Sequence, residues 1–91
     1  MKNNVIKQKY IVNTFHQPLY LISFVKLPNK QYEVAIFPCD TSGEVCWNEV
    51  YIHRFRWKIA ARLNFRSLVR KYEEQGFQFY ERDYMEMKNF I

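Results

Sequence analysis

Residues 55–75 are the only part of the chain with both the length and the period of a helix. At about 100° per residue, Trp57, Ala61, Phe65, Leu68 and Tyr72 fall on one arc, with Val69 at its edge. Arg62, Arg66 and Arg70 stand four apart on the far side. One face of this helix can therefore cover a sheet while the other carries a line of guanidinium groups. Gly76 follows where a helix end favours a residue able to take φ > 0. The start is weakly marked, because no Ser, Thr, Asp or Asn stands just before Trp57.

The segments around this helix read as strand. Residues 9–15 hold Tyr10, Ile11, Val12, Thr14 and Phe15, and His16-Gln17-Pro18 then interrupts them. In residues 19–27, Leu19, Leu21, Val25 and Leu27 point one way and Tyr20, Ile22 and Phe24 the other. Both faces are apolar, as in a central strand covered on two sides or one that uses a face for association. Pro28-Asn29-Lys30 is a turn, and residues 31–37 alternate cleanly, with Tyr32, Val34 and Ile36 on one face. The two strands form a hairpin. A second turn over 38–43 leads to strand-like residues 44–53, and residues 77–82 alternate again after Gly76.

The expected order is β-β-β-β-α-β. This predicts one α+β domain over 1–91: an antiparallel-rich sheet of four to five strands with one main helix, about 56–75, packed on one face. Residues 1–8 and 84–91 are expected to be loose ends. The tail from Tyr84 reads either as a short amphipathic helix or as a segment packing Met85, Met87 and Phe90 on a neighbour.

From Tyr32 onward the chain resembles a group of small uncharacterised bacteriophage proteins. Their strand, similar to Tyr-Glu-Thr-Met-Val-Phe, stands here as Tyr32-Glu33-Val34-Ala35-Ile36-Phe37, with Asp40 and Gly43 in the following turn. The helix start resembles Arg54-Phe55, followed by Ala61, Leu68-Val69, Lys71 and Tyr72. The likeness spans residues 32–72. It departs at Asn64-Phe65, where those proteins show Gly-His, and their helix is acidic where this one is basic. The resemblance implies a phage or mobile-element origin, and with it a location in the host cytoplasm.

Charge and chemistry narrow the function classes. The net charge is +5, and residues 54–71 hold seven Lys or Arg with no acid among them. Such a balance favours nucleic acid or an acidic protein surface. No apolar run approaches the length of a membrane span. Cys39 and Cys46 are expected to be free thiols in a reducing, cytoplasmic setting. His16 and His53 are the only imidazoles, and a Cys46–His53 pair would have no orienting third group. No Gly-rich phosphate loop or His/carboxylate cluster is present. No enzyme activity, metal or cofactor is therefore expected.

The candidate binding face comprises Lys58, Ile59, Arg62, Leu63, Arg66 and Arg70. Its arginines span about 12 Å of helix, a reach suited to successive phosphates. Equally, they can form a solvated face paired with Glu73 and Glu74. Ile59 and Leu63 among the cations favour a protein-binding surface. The leading expectation is a small phage-encoded binding protein that modulates or inhibits a host protein or nucleoprotein complex, for example an anti-CRISPR or other anti-defence protein. The alternatives are a direct nucleic-acid binder on the same face, and a structural or self-associating module, such as a homodimer using residues 19–27.

Overall fold

A computed structural model describes residues 4–81 of the chain. The elements run β1 (Asn4–Val12), β2 (Pro18–Lys26), β3 (Tyr32–Pro38), β4 (Tyr51–Phe55), α1 (Lys58–Glu74) and β5 (Gln78–Glu81). All the strand pairs are antiparallel, and the spatial order is β4-β3-β2-β1-β5. The predicted β-β-β-β-α-β order and the single helix on one face of the sheet are thus present.

The alternation of β2 and β3 produces two different faces. Ile22, Phe24, Val34 and Ile36 are buried towards α1, where Ala61 and Phe65 meet them together with Ile11 of β1. The Phe24 and Phe65 rings lie 5.9 Å apart, a favourable aromatic pairing. Tyr51 on β4 donates a hydrogen bond to Asn64 Oδ1 at 3.1 Å and ties the helix to the sheet edge.

On the opposite face Val12, Leu21 and Ala35 are also buried, so β2 is apolar on both sides for a packing reason. Residues 39–50 cross this face. Tyr10 donates to the Gly43 carbonyl at 2.9 Å, and Trp47 meets the Phe37 ring edge-on at 5.0 Å. Gln8 donates to Ser23 Oγ at 3.1 Å, which satisfies both buried side chains. A cavity of about 250 Å³ lies over that pair, between Val5, Val25 and Trp47.

Several boundaries differ from those predicted. β1 begins at Asn4 and not at residue 9, because residues 4–8 pair with β2 up to Lys26. Residues 44–50, read as strand, form part of the crossing segment, with only the Cys39–Val45 bridge in strand geometry. Asp40 holds that turn: its Oδ1 accepts from Ser42 N at 2.9 Å and from Glu44 N at 3.0 Å. Trp57, predicted on the core arc, stays outside the helix as its N-cap with extended backbone (φ −110°, ψ 134°) and is 68% exposed. In the β2–β3 turn Lys30 takes positive φ, while Asn29 Oδ1 accepts from Gln31 N at 3.1 Å. The expectation for residues 84–91 falls outside the described residues.

Candidate functional site

The candidate surface lies on α1 and on β1, which is beyond the strands that α1 covers. α1 packs over β2, β3 and β4. Ala61 and Phe65 are buried beneath it, and Leu68, Val69 and Tyr72 are half-buried. This phase turns Lys58, Ile59, Arg62, Leu63, Arg66 and Arg70 outward, and all six are exposed. Two different surfaces meet along the arginine row.

The first surface is apolar. Ile59 is 72% and Leu63 60% exposed, and Trp57 adds its indole at the N-terminal end of the helix. Trp57, Lys58 and Ile59 line a shallow recess together with Tyr32. Nothing in the described fold requires aliphatic side chains at Ile59 and Leu63, since neither touches the core.

The second surface is a cleft of about 620 Å³ between α1 and β1. Arg62, Arg66 and Arg70 form one wall, and Lys7 and Lys9 the other. Phe24, Phe65 and Val69 lie between them, and Glu73 is the one carboxylate among the described lining residues. Lys9 also lies over the Phe79 ring, 5.9 Å from its centroid. The alternative pairing of Arg70 with Glu73 or Glu74 is not formed, whereas Arg54 and Glu33 pair at 3.7 Å, remote from the cleft.

Lys7 and Lys9 are not among the residues that sequence alone singles out. Residues 1–8 read there as a loose end, with the strand beginning at Lys9. The available signal is the alternation Lys7, Lys9, Ile11 against Gln8, Tyr10, Val12. The register places Lys7 opposite Phe24 and Lys9 opposite Ile22, both on the helix side. A register shift between Val5 and Lys7 makes Ile6 an extra residue. Val5 therefore lines the opposite face, while Lys7 and Lys9 line the cleft.

No family model, curated protein or solved structure matches the chain in comparisons with known proteins.

The remaining sequence candidates are dispersed. Cys39 is half-buried and Cys46 exposed, and no disulfide joins them. Asn48 Nδ2 lies 3.8 Å from Cys46 Sγ. His53 stacks on Phe55 at 4.4 Å on β4, and His16 Nδ1 lies 2.5 Å from the Tyr80 hydroxyl. Tyr72, packed at the end of α1, has its phenol pKa raised, first by burial and then by the neighbouring Tyr20. No helix among the described residues is long and apolar enough to cross a membrane.

Proposed function

We propose that this protein works by binding and not by catalysis, and that the outer face of α1 is the contact surface for a protein or nucleoprotein complex. The observation that carries this reading is the exposure of Ile59 and Leu63 beside Lys58, Arg62 and Arg66. Protein interfaces are built in this way, with an apolar centre, Trp and Arg enriched, and charge at the rim. Trp57 extends the same strip. A phage or mobile-element origin, and a role as a modulator or inhibitor such as an anti-CRISPR, draw their support from the strand–turn–strand–helix resemblance over residues 32–72.

The test is capture from a bacterial lysate, with and without nuclease, by the parent protein and by Ile59→Asp with Leu63→Asp. Because both side chains are solvent-exposed, the double variant should keep its fold, with each change costing no more than about 1 kcal/mol. Capture by the parent should survive nuclease and be lost in the folded double variant. Retention of the same partners by that variant would remove α1 as the contact surface.

A further inference from the structure

We infer that the cleft between α1 and β1 is a binding site for the sugar–phosphate backbone of single-stranded nucleic acid. The inference is independent of the apolar strip and rests on the cleft alone.

Charge comes first. Among the described residues, five cations and the carboxylate of Glu73 line the cleft, in a protein already at +5. Such a concave, one-signed wall concentrates anions. The cations are also ordered. Arg62, Arg66 and Arg70 repeat every four helical residues, a step of about 6 Å. Lys7 and Lys9 repeat every two strand residues, a step of about 6.8 Å. Two facing rows with nearly the same repeat suit a ligand whose negative charge also repeats along a line. A compact anion would meet only one or two members of either row.

The rest of the lining separates nucleic acid from an acidic peptide. Apart from the six charged groups, the described lining side chains are apolar: Ile6, Phe24, Phe65 and Val69. None is a neutral hydrogen-bonding group. A peptide laid in the cleft would bring backbone N–H donors that these side chains cannot accept, and unpaired donors are costly. A phosphodiester backbone brings acceptors at each charge, which Lys and Arg donors match, and Arg matches bidentately. Phe24 and Phe65 are buried beneath the cleft and engaged with each other, so neither is open to stack a base. Binding is therefore insensitive to sequence. A flexible single strand can follow a concave, positively charged cleft with its backbone, as in grooves that bind single strands, whereas a duplex is stiff.

The experiment is fluorescence anisotropy with a labelled single-stranded oligothymidylate over a series of salt concentrations. Lys7→Gln with Lys9→Gln should weaken binding at least about tenfold and shrink the log–log salt slope by about 0.7 for each phosphate no longer neutralised. Arg66→Gln with Arg70→Gln should do the same from the other wall, which keeps the test sound if the strand variant fails to fold. A control of equal charge, Arg54→Gln with Lys71→Gln, lies outside the cleft and should lose less than about threefold. Equal losses in the control and the cleft variants would overturn the site in favour of diffuse attraction. Displacement of the probe by polyglutamate as readily as by unlabelled oligothymidylate would overturn it in favour of an acidic protein. Tighter binding of a duplex would overturn the single-strand assignment, and no binding at low salt by the folded parent would overturn the whole inference. The assay contains no protein partner, so its failure leaves the Ile59–Leu63 strip to its own test.

Discussion

Gly76 ends α1 at φ +94°, a conformation that costs a side-chain-bearing residue roughly 1–2 kcal/mol. Gly76 N–H donates to the Glu73 carbonyl at 3.0 Å and Phe77 N–H to the Tyr72 carbonyl at 3.1 Å. The Tyr72 and Phe77 rings close over this cap at 5.8 Å. Chain neighbours aside, a methyl group at Gly76 would meet no heavy atom of the described residues within 4 Å, so its cost is conformational. Gly76→Ala should therefore lower stability by about 1–2 kcal/mol in denaturant melts, with Gly76→Asn milder. Asp40 makes a second test at this scale. The Ser42 hydroxyl, first, and the Glu44 amide, next, hold its carboxyl below the ordinary aspartate value of 3.8. A lowered folded pKa means that the turn's contribution is full above the ordinary value and is lost as pH falls through the folded one. Carbon-13 titration should place Asp40 below 3.8, with the Ser42 and Glu44 amides shifting at the same midpoint. A midpoint at or above the ordinary value would mean that these hydrogen bonds do not persist in solution.

At the scale of elements, the helix phase is legible in the sequence because local spacing decides it. The period that places Ala61 and Phe65 inward leaves Arg62, Arg66 and Arg70 outward, as observed. Phe65→Ala should accordingly cost about 3–5 kcal/mol, and Leu68→Ala, at a half-buried position, clearly less. The reverse order would mean a helix rotated by about 60°, the angle between positions three residues apart. Other elements are legible only in part. Val45, Cys46, Trp47 and Val50 have strand propensity, yet the chain there crosses the sheet, with Gly43 and Trp47 in contact with its face. Propensity reports a fit to a half-buried pleated surface and does not say which surface is available. Trp57 matches the helical period but precedes the first helical residue, standing as the N-cap with extended backbone.

At the scale of the whole molecule, the sheet order β4-β3-β2-β1-β5 explains why half of the cleft is not visible in the sequence. β5 pairs with β1 across most of the chain, and that non-local pairing places β1 in the interior of the sheet order, beyond the strands beneath α1. The register of β1 on β2 puts Lys7 and Lys9 on the side of Arg62, Arg66 and Arg70. Local pattern reveals the arginine wall; topology supplies the lysine wall. The most direct test of this working surface is an amide proton–nitrogen correlation spectrum recorded as oligothymidylate is added. Resonances of Lys7, Lys9, Arg62, Arg66 and Arg70 should shift together and saturate at one midpoint, while those of β4 and residues 39–50 stay in place. Shifts confined to β4 or to residues 39–50, or lysine and arginine walls that respond at different midpoints, would contradict a single binding cleft between α1 and β1.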